Sequence, residues 1–255
     1  MASLKTISFD KKNVKMIAHR GLSAFETENT NAAFIAAGNR SYYGIETDVH
    51  VTKDGKFIIT HDDNMKRIAG VDCIVEETNF DDLRKINLYE CNSGVMNGDG
   101  TTLKDNKRGD LVPPTLAEYI SICKKYDKVA VLELKNAMTK ENVQGIVSVI
   151  EDLDYLDGTI FISFCIENLV YIKEIDKNLV CQYLSCKLDD INKKMPTVLK
   201  YGMDLDLGYW ILTEELVKEY KSKGLKINVW TPGNPADAER LTNWGVDYIT
   251  SNILE

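Results

Sequence analysis

The 255-residue chain is 44% hydrophobic and 27% charged, enough apolar material for one large core and close to the usual length of a (β/α)8 barrel. Its formal net charge of -8 argues against a nucleic-acid partner, because backbone affinity rests on clustered Lys and Arg. The amino-terminal stretch has no apolar leader, and no later run approaches the ~20 apolar residues of a bilayer span. A soluble, cytoplasmic protein without stable membrane association is therefore expected, with its oligomeric state left open.

Apolar runs of strand length alternate with helix-patterned segments, as in βα units around a parallel sheet. In chain order, a strand at 14–18 stops at His19-Arg20-Gly21 and is followed by a helix at 29–40. A second strand at 44–51 runs into Lys53-Asp54-Gly55, a hairpin signal that folds 57–60 back on it and leaves His61 at the end of the extra strand. Residues 62–113 include NSGVMNGDGTTLKDNKRGD and show little periodicity. They read as a small insertion, partly helical around 80–88, of the kind that forms lids or walls. Six further strands follow at 128–134, 159–164, 179–184, 203–207, 226–230 and 247–250. Helices are expected at 116–126, 141–152, 166–175, 188–201, 213–223 and 236–244, each with apolar residues at helical spacing. Eight strands suggest closure, so the expected fold is an α/β (β/α)8 TIM barrel, a single domain over 1–255 with the insertion at 62–113 inside it.

The six cysteines, Cys73, Cys91, Cys123, Cys165, Cys181 and Cys186, show no CxxC pair or metal-like spacing. Cys123, Cys165 and Cys181 lie in apolar surroundings and read as buried free thiols.

Chemistry in such a barrel sits at the carboxyl ends of the strands. There the chain places His19 and Arg20 after the first strand, Glu46 and Asp48 on one face of the second, and Glu133 with Lys135 on one face of the third. Three carboxylates aimed into one mouth repel one another unless a cation lies between them. All-oxygen ligation suits Mg²⁺ or Ca²⁺, with Mn²⁺ as an alternative, better than Zn²⁺. The three histidines, His19, His50 and His61, fall in the same early segment. Two histidines at a metal-carboxylate site supply both proton transfers of phosphodiester hydrolysis. Arg20 and Lys135 suit the non-bridging oxygens, and Gly21 would leave backbone room for a phosphate beside Arg20. His50 shares the face of Glu46 and Asp48 and is expected either to line the site or to pack.

These residues resemble the glycerophosphodiester phosphodiesterase family. The matching pieces, in order, are HRG at 19–21, ENTNAAF at 28–34, IETDVHVTKDG at 45–55, HDDNMKR at 61–67, PTLAEYI at 114–120, LELK at 132–135, SF at 163–164, VWT at 229–231 and GVDYITSN at 245–252. The resemblance implies a TIM barrel that hydrolyses glycerophosphodiesters, such as glycerophosphocholine and glycerophosphoethanolamine, to glycerol 3-phosphate and an alcohol. It implies His19 and His61 as the acid-base pair, Glu46, Asp48 and Glu133 around one divalent cation, and Arg20 and Lys135 on phosphate. Phe164 and Trp230 would form apolar walls. After VWT the family usually has an apolar residue and then Asn, whereas this chain reads Pro232-Gly233-Asn234-Pro235, which puts the polar contacts of that loop in doubt. Two competing readings are a lipid-directed barrel of the phospholipase or sphingomyelinase D kind and an inactive barrel that only binds a phosphate ligand. The polar insertion and unpaired cysteines speak against the first, and the full set of histidines and carboxylates against the second.

Overall fold

The structure, a computed structural model, describes residues 5–91 and 103–255. Its strands are β1 (Lys15–Ala18), β2 (Gly44–Val51), β3 (Phe57–Ile59), β4 (Tyr89–Cys91), β5 (Leu103–Lys107), β6 (Val129–Leu134), β7 (Thr159–Ser163), β8 (Val180–Ser185), β9 (Asp204–Gly208), β10 (Ile227–Trp230) and β11 (Tyr248–Ser251). Around the barrel the order is β1, β2, β6, β7, β8, β9, β10, β11, every neighbour parallel, and β11 pairs back onto β1. This is a closed eight-stranded TIM barrel. β3 runs antiparallel to β2 outside the ring, the hairpin that Asp54-Gly55 signalled.

The helices are α1 (Asn31–Gly38), α2 (Lys66–Ala69), α3 (Phe80–Leu83), α4 (Leu116–Lys125), α5 (Lys140–Asp152), α6 (Ile166–Ile175), α7 (Leu188–Tyr201), α8 (Glu214–Ser222) and α9 (Pro235–Trp244). The long ones cover the outside of the barrel and bury their apolar faces against the strands, as Val143, Ile146 and Ile150 do on α5. Inside the ring, Ile17, Val131, Ile160, Ile162, Leu184 and Tyr248 form a second apolar layer. Above it the lining becomes polar, which is where the site lies.

Three expectations need correction. The first helix begins at Asn31 rather than at 29, because Asn29 adopts φ +53° and the Thr30 side chain caps the Ala33 amide. Within 62–113 the helix near 80 ends at Leu83, and the segment also holds α2, a short 3₁₀ turn at Val75–Glu77 and an antiparallel β4–β5 pair. Its residues 92–102 lie outside the described residues. A separate apolar cluster of Ile58, Met65, Ile68, Val75, Leu83 and Leu111 anchors the insertion to the hairpin. Cys123 and Cys181 are buried free thiols, but Cys165 is only half-buried because it is the residue that starts α6 at the barrel mouth.

Candidate active site

The parallel strands present their carboxyl ends together, and this brings Glu46, Asp48 and Glu133 to one place: one oxygen from each lies within 4.8 Å of the others. β2 and β6 achieve it by register, with Asp48 directly beside Glu133. All three are buried. Burial, then Asp48 and Glu133, pushes Glu46 well above the ordinary carboxylate range, and burial together with Asp48 raises Glu133 to about 6. Burial acts on Asp48 in the same sense, but Lys135, His61 and Arg20 outweigh it and hold Asp48 low. Asp48 Oδ1 has no hydrogen-bond partner, and Lys135 Nζ stands 3.5 Å from it and 2.9 Å from Glu133 Oε1. An all-oxygen donor set under mutual repulsion, with one lone pair unclaimed, fits a hard divalent cation.

Both sequence-predicted histidines face this cluster. His19 Nδ1 donates to Asn252 Oδ1 at 2.7 Å, and Ser23 Oγ sits between that oxygen, at 3.0 Å, and the His19 carbonyl oxygen, at 2.8 Å. His19 Nε2 is thereby left without the proton and lies 3.9 Å from Glu46. Burial, then Arg20, lowers His19 to about 3. His61, at the end of β3, donates from Nδ1 to Asp62 Oδ1 at 2.7 Å, so its Nε2 also turns to the cavity. His50 is elsewhere. It is fully buried, with Nε2 3.3 Å from the carbonyl oxygen of His61 and Nδ1 3.3 Å from Glu76, so it supports the backbone that carries His61 and does not line the cavity.

Arg20 is held by Glu28, with Nη1 at 2.8 Å from Oε1, while its Nε is buried and unpaired 3.8 Å from Asp48. Glu28 in turn meets both terminal nitrogens of Arg67, at 2.6 and 3.0 Å, and Arg67 reaches Asp62 through Nε and Nη2. One chain of ion pairs therefore joins Arg20 to His61. Burial favours a neutral Glu28, but Arg20 and Arg67 win and lower it to about 2. Asn29 donates to Asp48 at 2.8 Å and accepts from Thr47 at 2.7 Å. The sequence reading quoted Glu28, Asn29, Asp62, Arg67 and Asn252 within motifs but gave them no role. Gly21 also serves packing: at φ +75° a Cβ would lie 2.7 Å from Ala33, so the glycine lets α1 approach β1.

His19, Arg20, Glu46, His61, Glu133 and Asn252 border a cavity of about 260 Å³. Its opposite wall is Ile162, Phe164, Leu184, Asp206, Trp230, Thr231 and Thr250. Phe164 is 47% exposed and stacks edge-on against Trp230, with ring centroids 5.9 Å apart. Trp210, outside the sequence reading, extends the aromatic rim at 5.1 Å from Trp230. The unusual 232–235 loop has a local explanation. Asn234 caps the Asp237 amide and Pro235 opens α9, so this sequence starts a helix, and Thr231 is its neighbour on the cavity. Lys135 pairs with the carboxylates beneath the cavity wall.

A closed parallel barrel bearing an acidic cluster, two histidines and a buried arginine at its mouth is the arrangement of a TIM-barrel phosphoric diester hydrolase. The chain belongs to the glycerophosphoryl diester phosphodiesterase family, whose model matches residues 19–254. It is 27% identical to a glycerophosphodiester phosphodiesterase of Caldanaerobacter subterraneus subsp. tengcongensis, with 94% of each chain covered. A Bacillus subtilis protein of the same name is 27% identical over 92% of this chain and 82% of its own length. Among solved structures, an Oleispira antarctica phosphodiesterase in complex with the product sn-glycerol-3-phosphate superposes with a TM-score of 0.81 at 24% identity, covering 97% of this chain and 96% of that one. A putative glycerophosphoryl diester phosphodiesterase from Silicibacter pomeroyi gives 0.81 at 22%, over 94% and 90%. Among the described residues no helix is long and apolar enough to cross a membrane.

Proposed function

We propose that the protein is a metal-dependent phosphodiesterase that hydrolyses glycerophosphodiesters, such as glycerophosphocholine and glycerophosphoethanolamine, to glycerol 3-phosphate and an alcohol. The observation that carries the reading is the convergence of His19, His61 and the Glu46–Asp48–Glu133 cluster on one cavity. The product bound to the Oleispira relative supports the substrate class.

In this reading Glu46, Asp48 and Glu133 hold one divalent cation, Mg²⁺ or Ca²⁺ with Mn²⁺ as an alternative, which supplies charge neutralisation at the phosphoryl oxygens. His19 and His61 share the proton work. One takes the proton of the attacking oxygen and the other gives a proton to the departing alkoxide as its bond to phosphorus breaks. Asn252 and Asp62 fix the ring orientations, leaving each Nε2 towards the cavity. The unpaired Nε of Arg20 is a donor suited to a non-bridging oxygen, and Lys135, beside Asp48, adds positive charge. Phe164 and Trp230 exclude water on the far side.

The test is release of glycerol 3-phosphate from glycerophosphocholine and glycerophosphoethanolamine after chelation and then with Mg²⁺, Ca²⁺ or Mn²⁺ restored. Activity lost on chelation and regained with one ion is expected. Folded protein that releases nothing with any ion, or that prefers intact lipid vesicles, would overturn the reading.

A further inference from the structure

The wall facing the acidic cluster carries polar atoms that the hydrolytic machinery does not use. β9 lies four strands around the ring from β2, directly across the barrel from Glu46 and Asp48. Its Asp206 is 2% exposed, borders the cavity, and has an Oδ1 with no hydrogen-bond partner. On the adjoining β10, Trp230 borders the same cavity with its indole Nε1 also buried and unpaired. Buried groups left unsatisfied are destabilising, so they call for a partner. The neighbouring polar side chains leave Asp206 Oδ1 free: Thr250 donates to Asn228, Asn228 reaches both Gln182 and the Asp206 carboxyl, and Oδ1 of that carboxyl still lacks a partner.

The two free atoms are complementary in kind. A carboxylate oxygen accepts a hydrogen bond, and an indole N–H only donates. A hydroxyl is the common substrate group that does both, whereas an ammonium group would leave Trp230 unsatisfied. We propose that Asp206 and Trp230 form a hydroxyl-binding subsite that recognises an alcohol group of the glycerol half of the substrate. This rests on the glycerophosphodiester reading above. Asp206 thereby acts as a specificity residue, and Trp230 has a polar function besides its apolar face. Burial, then Glu133, pushes the Asp206 carboxyl well above its ordinary range; a hydroxyl suits either form, because it can accept from the acid or donate to the carboxylate.

Binding measured by calorimetry tests this apart from turnover, with sn-glycerol 3-phosphate and ethyl phosphate as the two probes. Both carry the phosphate, and only the first carries the hydroxyls. The wild-type protein should prefer glycerol 3-phosphate by at least ~10-fold, since a site built to hydrogen-bond a hydroxyl discriminates strongly against its absence. Asp206→Leu should erase that preference while leaving ethyl phosphate affinity within about twofold, and Trp230→Phe, which keeps a ring and loses the N–H, should reduce it partly. Asp206→Asn provides a milder variant if the leucine protein does not fold. Equal affinity of the two probes for wild type, or equal weakening of both in the variants, would overturn the subsite. Failure of turnover on glycerophosphodiesters with the binding preference intact would instead count against the reaction assigned above.

Discussion

The two sides of the barrel mouth are built from the same βα unit and carry opposite chemistry. On the side of β1, β2 and β6, every functional group is charged or titratable and nearly every one is paired: His19 with Asn252, His61 with Asp62, Arg20 with Glu28, Lys135 with Glu133. On the side of β7 to β10 the lining is Ile162, Phe164, Leu184 and Trp230, with Asp206 the one carboxylate. Concentrated buried charge demands a supporting ring of partners, since an unpaired buried ion is costly. An apolar wall needs only shape. Substitutions on the charged side should therefore damage the chemical step, and those on the far wall should change which substrate binds.

The largest expected effect comes from the histidines. His19→Ala or His61→Ala should lower turnover at least ~10²-fold with thermal unfolding unchanged. Activity of either variant within a few-fold of wild type would remove that residue from the proton relay. Next comes the acidic cluster: Glu46→Ala should weaken divalent-ion affinity by at least ~10-fold, read by calorimetry. An unchanged affinity would refute Glu46 as a ligand.

A smaller loss should follow from Arg67→Gln. Arg67 touches none of the cavity-lining groups directly, yet it grips Asp62 and Glu28 together, and so orients His61 and Arg20 at once. A fall of about 10-fold in kcat with little change in KM is expected, because misplacing a catalytic group by a fraction of an ångström costs rate before binding. Added guanidinium should restore part of the rate, a rescue that general destabilisation would not allow. Equal loss in an Arg67→Lys variant would fit the need for a fork that meets two carboxylates, a geometry that lysine lacks.

The difference between the two sides also explains how much the sequence disclosed. Strand periodicity and the Asp54-Gly55 turn were legible because they are local, and the barrel strands appear in the structure within a residue or so of their expected places. His19, Glu46, Asp48, His61 and Glu133 stood out because titratable residues interrupt apolar runs. Partners brought together only by tertiary packing were not legible. Asn252 lies 233 residues from His19 and Arg67 lies 39 from Glu28, so no window of sequence holds both members. The same holds for Asp206, which reads as an ordinary polar residue in DLDLG until the barrel sets it across from β2. Gly21 was legible as special, but its contact with Ala33 was not, since that residue belongs to another element. The short β4–β5 pair escaped because β4 spans three residues and β5 is polar after Leu103.

The smallest effect should come from the aromatic rim. Phe164 is 47% exposed and meets Trp230 edge-on, so truncation removes little packing and should leave stability close to wild type. As an apolar wall for the substrate, Phe164 offers only part of an aromatic face, worth about 1 kcal/mol, which sets the expected rise in KM for Phe164→Ala at about 2- to 10-fold. Because the side chain carries no group that can move a proton or hold phosphate, kcat should be preserved. The division between the two walls predicts that KM and kcat respond separately here and together in the histidine variants. A Phe164→Ala enzyme whose kcat fell as far as that of His61→Ala would break the division, and would mean that water exclusion by the far wall is itself part of the chemical step.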